Sequence, residues 1–141
     1  MSKGKILLVD DDPDLVEAMR LVLEGNGYDC VHASNGTRAI EAIPKEKPDL
    51  MVLDVMMDDL TEGFHVAYRI RKPDPGLEPF QHMPIIMLTA ISQRTGMKFD
   101  KQTDADYLPV EEFLEKPVQP KELLAKVEHL LTRHKGGRAT S

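Results

Sequence analysis

The chain has 141 residues, a single cysteine (Cys30), a formal net charge of −6 and a pI near 5.3. That length suits one domain with a real core, and one cysteine excludes an intrachain disulfide. The acidic balance argues against nucleic acid as the main partner, because holding a phosphate backbone needs clustered Lys and Arg.

The first apolar run, Ile6-Leu7-Leu8-Val9, is too short for a signal-peptide core or a membrane span, so a cytoplasmic location and no membrane partner are expected. Runs of this kind suit strands buried on both faces of a parallel sheet. Asp12-Pro13 then reads as a helix N-cap with proline in the first turn. Leu15, Met19, Val22 and Leu23 share one face of that helix, and Gly25 and Gly27 stop it. Tyr28 to Ala33 is the second strand; Ala39, Ile40 and Ile43 mark a short helix ended by Pro44. Leu50-Met51-Val52-Leu53 is the third strand. Phe64, Ala67 and Ile70 mark a third helix, broken at Pro73-Asp74-Pro75-Gly76. Ile85-Ile86-Met87-Leu88 is the fourth strand, a weakly signalled helix falls within 91–102, and Phe113-Leu114 is a weak fifth strand. The last helix is the clearest, with Pro120, Leu123, Leu124, Val127, Leu130 and Leu131 in one stripe, and a disordered tail is expected over 134–141. Five β-α alternations in one domain, residues 3–133, predict an α/β doubly wound parallel sheet with helices on both faces and right-handed crossovers. No output domain is expected.

Ligands on such sheets bind beyond the carboxyl ends of the strands. The first apolar run is followed by Asp10, Asp11 and Asp12, the third by Asp54, the fourth by Thr89, the fifth by Lys116. Crowded carboxylates repel unless a cation joins them, and a hard divalent ion such as Mg2+ takes one or two carboxylates, keeps several waters and accepts phosphate oxygens. Metal, an exposed carboxylate and an ammonium are parts for phosphoryl transfer, with aspartate as nucleophile. Asp54, alone at the end of the central strand, is the candidate acceptor. Each residue also has a plainer reading: a helix cap for Asp12, a strand-end hydroxyl for Thr89, a solvated lysine for Lys116. What they share is an order and an edge. His32, His65, His82, His129 and His134 fit no zinc spacing and read as surface or packing residues.

The segments ILLVDDDPD, LMVLDVMM, PIIMLTA and EKPVQPKELL resemble, in order, the four signatures of two-component receiver domains over roughly residues 3 to 133. The resemblance implies the flavodoxin-like strand order 2-1-3-4-5. It implies that Asp10, Asp11, Asp54 and the Met56 backbone carbonyl hold Mg2+, and that Asp54 is phosphorylated by a sensor histidine kinase or phosphotransfer protein. Thr89 is then the switch hydroxyl, Ala90 the small residue that leaves access to the site, Lys116 the phosphoryl-pairing lysine before a cis Lys116-Pro117 bond, and Phe113 the switch aromatic. The implied output is a shift of the face made by the fourth helix, fifth strand and fifth helix, which controls a protein partner or passes the phosphoryl group on, in a monomer or weak homodimer. Such a chain is no enzyme beyond its own phosphorylation and dephosphorylation. Asp58 stands where the family has proline, the loop before Gly63 is a residue longer, and MKFDKQTDADYLPVEEF replaces the usual turn before the fifth strand. These departures keep open a receiver-like binding scaffold that uses no phosphate.

Overall fold

The structure is a computed structural model and describes residues 3–54, 60–72, 75–90 and 112–139. Strands β1 (Lys5–Val9), β2 (Asp29–Ala33), β3 (Leu50–Asp54), β4 (Ile85–Ala90) and β5 (Glu112–Lys116) pair in parallel in the order β2-β1-β3-β4-β5. The doubly wound fold and the 2-1-3-4-5 order are as expected. Helices α1 (Pro13–Glu24), α2 (Gly36–Glu46), α3 (Leu60–Arg71) and the C-terminal α4 (Pro120–Ala139) pack around the sheet, with a 3-10 turn at Glu78–Phe80. The helix expected within 91–102 lies outside the described residues.

The apolar runs of the three central strands are continuous because alternate side chains go to opposite faces, each covered by helices. Leu7, Val9, Met51, Leu53, Ile85 and Met87 meet Ala39 and Ile43 of α2 and Val66, Ala67 and Ile70 of α3. Ile6, Leu8, Leu50, Val52, Ile86 and Leu88 meet Val16, Met19 and Leu23 of α1 and Leu123, Val127, Leu130 and Leu131 of α4. With both faces closed, only the ends of the strands are left for polar chemistry.

Helix α1 begins where Asp12–Pro13 places it. Asp12 Oδ1 accepts from the amides of Asp14 at 3.0 Å and Leu15 at 3.4 Å, which satisfies two of the donors a helix start leaves without partners. Asp12→Ala is expected to cost about 1 kcal/mol, read as a lower urea midpoint in metal-free buffer.

Two boundaries differ from the sequence reading. Pro44 does not end α2; the helix runs to Glu46. Proline removes one donor and crowds one carbonyl, but here it sits in the last turn, where Lys47 takes the left-handed conformation (φ 53) and its amide closes on the Ile43 carbonyl at 2.8 Å. The C-terminal helix continues to Ala139, through the part of 134–141 expected to be a disordered tail. No proline follows Leu131, and the helix runs on through Gly136 and Gly137, since extending a formed helix fixes only one residue per added bond. Arg71, which the sequence did not single out, pins the end of α3: its guanidinium donates to the carbonyls of Gln81 and Met83, both at 2.9 Å.

Candidate functional site

The register sets the site. Val9 pairs with Leu53, so the next residues, Asp10 and Asp54, leave neighbouring strands side by side. Asp54 lies opposite Leu88 of β4, and Lys116 lies opposite Ala90 on the strand beyond. Lys116 therefore spans β4, and its Nζ donates to Asp54 Oδ2 at 3.0 Å. Carboxylate oxygens of Asp10, Asp11 and Asp54 all lie within 4.8 Å of one another.

Burial divides these acids. Asp10 is 0% and Asp54 1% exposed, while Asp11 faces solvent. The sequence reading had the acceptor carboxylate exposed. Instead Asp54 is covered, with the Lys116 ammonium and the acids of β1 among its neighbours. Asp10 is held by its backbone and by one oxygen. Its amide donates to the Ala33 carbonyl at 3.1 Å, and Oδ1 accepts from the Asp12 amide at 2.9 Å. Asp10 Oδ2 is buried with no hydrogen-bond donor among the described residues. Loss of water around it, reinforced by the negative charge of Asp54, raises the Asp10 carboxyl to about 7, against the opposing pull of the Asp12 amide and Lys116.

Three carboxylates facing one ammonium suit a hard divalent cation. All the donors are oxygens, one is buried without a partner, and the exposed Asp11 side leaves room for retained waters. Asp10, Asp11 and Asp54 are the residues placed to hold it.

Of the remaining expected residues, Thr89 lies in β4 opposite Glu115, one position past the partner of Asp54, and its side chain is not among the described parts. Ala90 follows it in β4. Phe113 is half-buried on β5 and packs on the cluster under α2 and α3. The Lys116–Pro117 peptide is cis. Met56 and Asp58 lie outside the described residues. The sequence reading missed His32, which it took for surface or packing: Nε2 lies 2.8 Å from the Asp10 carbonyl. The available signal was position, since His32 is one residue from the end of β2, beside the strand that delivers Asp10.

Fold and site together define a flavodoxin-like α/β domain with a cluster of acids and a lysine at the carboxyl ends of its strands. Residues 6–128 match the response regulator receiver domain. The DNA-binding response regulator MtrA of Mycolicibacterium smegmatis is 35% identical over 132 residues, 94% of this chain and 52% of that protein. The alkaline phosphatase synthesis transcriptional regulatory protein PhoP of Bacillus subtilis is 37% identical over 129 residues, 92% of this chain and 49% of that protein. A CheY-like response regulator receiver domain protein from Methanospirillum hungatei JF-1 superposes with a TM-score of 0.72 at 25% identity, covering 96% of this chain and 99% of that one. The chain belongs to the response regulator receiver domain family of two-component systems.

The chain spans about half the length of the curated relatives it matches. The expectation that nucleic acid plays no part finds no support there, because MtrA is named as DNA-binding and PhoP as a transcriptional regulator. The net charge of −6 describes this chain and does not decide the matter. No described helix is long and apolar enough to cross a membrane.

Proposed function

We propose that this receiver is a phosphorylation switch, with Asp54 as the residue that takes the phosphoryl group from a sensor histidine kinase or a phosphotransfer protein. The observation that carries the reading is the Asp54 carboxylate, held at the end of the central strand within 3.0 Å of the Lys116 ammonium and beside the acids of β1. An Asp54 oxygen forms the bond to phosphorus as the bond from phosphorus to the donor nitrogen breaks, and the leaving imidazole takes a proton. Asp10, Asp11, Asp54 and the Met56 carbonyl would hold Mg2+, which when bound would supply positive charge to the phosphoryl oxygens. Lys116 gives up Asp54 Oδ2 and pairs with the phosphoryl group; Thr89 donates its hydroxyl to the same group.

Phosphorylation replaces the single carboxylate charge at the end of β3 by about two on a phosphoryl group that reaches farther from the strand. Thr89 moves toward them, Phe113 turns inward, and the surface of β5 and the C-terminal helix changes for a partner. The relatives named above are a DNA-binding response regulator and a transcriptional regulatory protein; here a protein contact or onward transfer is proposed, in a cytoplasmic setting. Given Mg2+ and acetyl phosphate, wild type should gain one phosphoryl mass by intact mass spectrometry, while Asp54→Asn should gain none. Equal labelling of the two would defeat the assignment.

A further inference from the structure

Both acids of the pair that follows β1 hang on one peptide unit, the carbonyl of Asp10 and the amide of Asp11, so the plane of that peptide sets the direction in which each side chain leaves. The Asp10 amide is already tied to β2 through the Ala33 carbonyl at 3.1 Å. In a parallel ladder the next rung would be an amide from β2 meeting the Asp10 carbonyl. That rung is missing because the chain turns at Ser34: Asn35 caps α2, accepting from the Arg38 amide at 2.9 Å. The ring of His32 stands in its place, with Nε2 2.8 Å from the Asp10 carbonyl. A carbonyl only accepts, so Nε2 carries the proton.

We infer that His32 is a positioning residue for the cation site, holding the peptide between Asp10 and Asp11 from outside the site, by way of the edge strand. The inference rests on the proposal that the acidic cluster takes Mg2+. With its amide bound to Ala33, its carbonyl to His32 and Oδ1 to the Asp12 amide, Asp10 keeps one atom with no donor among the described residues, Oδ2, and that atom is left for a cation. Without the ring, the peptide gains freedom to rotate, and that freedom must be lost again when the ion binds. Partners of this kind around a metal site typically change affinity by about 10- to 100-fold when the bond is to the ligand atom's own group. A bond to the backbone behind the ligands should give somewhat less, about five- to tenfold.

His32 is exposed on an edge strand, so its replacement leaves the core intact. The test compares wild type, His32→Leu and His32→Gln at pH 8 by nitrogen-15 NMR. Leucine keeps bulk without a donor, and glutamine puts an amide nitrogen where Nε2 was. In metal-free protein the Asp11 amide nitrogen should shift in His32→Leu and return toward wild type in His32→Gln, with the melting temperature of all three within about 2 °C. On titration with Mg2+ alone, His32→Leu should bind about five- to tenfold more weakly, and His32→Gln within about twofold of wild type. An unmoved Asp11 resonance, or equal Mg2+ affinity of wild type and His32→Leu, overturns the role of His32 and leaves the cation site standing. A wild type that shows no response to Mg2+ overturns the cation site, and the role of His32 with it.

Discussion

Asp10→Asn should make the metal-free protein more stable at pH 8, by roughly 2 kcal/mol or more, while removing its response to Mg2+. Asp10 is fully buried, and desolvation raises its carboxyl to about 7, well above the value of an unfolded aspartate. The sign follows from linkage. A carboxyl whose pKa is raised on folding binds more protons in the native state between about pH 4 and pH 7, so its contribution is fully present below the unfolded pKa and is lost as pH rises through about 7. The whole span corresponds to roughly 2–4 kcal/mol for a buried group. Asparagine keeps the oxygen that accepts from the Asp12 amide and puts a donor in place of Oδ2, facing Asp54, so the substitution removes a charge without leaving a cavity. Urea unfolding in chelator at pH 5 and pH 8 checks this: the advantage of Asp10→Asn should be smaller at pH 5 than at pH 8, by roughly 2 kcal/mol. Adding Mg2+ at pH 8 should stabilise wild type and leave the variant unchanged. A variant less stable than wild type at pH 8 would show that the burial of Asp10 is not a source of strain.

The same feature explains what the sequence could show of this site. Asp10, Asp54 and Lys116 were legible because each directly follows an apolar run, and a parallel sheet delivers all its strand ends to one edge whatever its helices do. That logic needs only the runs, and in β1, β3 and β4 the runs are unbroken because both faces are covered. It weakens at β5, where Glu112, Glu115 and Lys116 interrupt the pattern and Leu114 is the one fully buried residue of the strand. Burial of Asp54 was not legible. Sequence gives the order of residues along a strand but not the reach of a side chain from two strands away, and it is the four methylenes of Lys116 that bring an ammonium over it. His32 was missed for a related reason. Its role depends on where the β1–β2 ladder ends, and that is decided by Asn35 leaving to cap α2.

Helix ends divide in the same way. Asp12 is readable as a cap because the cap and the amides that donate to it lie within three residues. Pro44 signals a stop in the sequence, yet α2 runs past it to Glu46. The actual stop is the left-handed Lys47, a conformation that a lysine does not advertise in sequence. The end of α3 depends on Arg71 reaching carbonyls ten and twelve residues on, a contact made by the fold of the Glu78–Phe80 turn. Local signals were therefore sufficient where the satisfying group is local, and failed where a polar group finds its partner across the fold.

The pair of Lys116 and Asp54 gives the other large effect. Lys116→Met should destabilise the metal-free protein by about 3 kcal/mol at pH 8, because it leaves the Asp54 carboxylate, 1% exposed, beside Asp10 without the ammonium now 3.0 Å away. The cost is that of taking the nearby cation from a buried carboxylate and not the worth of the ion pair, which is often close to zero once desolvation is counted. The two are separable by a double-mutant cycle. Asp54→Asn combined with Lys116→Met removes both charges, and the double variant should recover most of the loss, with a coupling energy of about 1–3 kcal/mol. If the single and double variants were equally unstable, the damage would lie in lost packing of the lysine stem against β4 and not in charge. Mg2+ separates the readings further: a cation bound by the acidic cluster supplies what Lys116 no longer does, so Lys116→Met should gain more stability from Mg2+ than wild type gains. A lysine that neutralises the site before phosphorylation and turns to the phosphoryl group afterwards must be replaceable, in stability alone, by the ion that shares its neighbours.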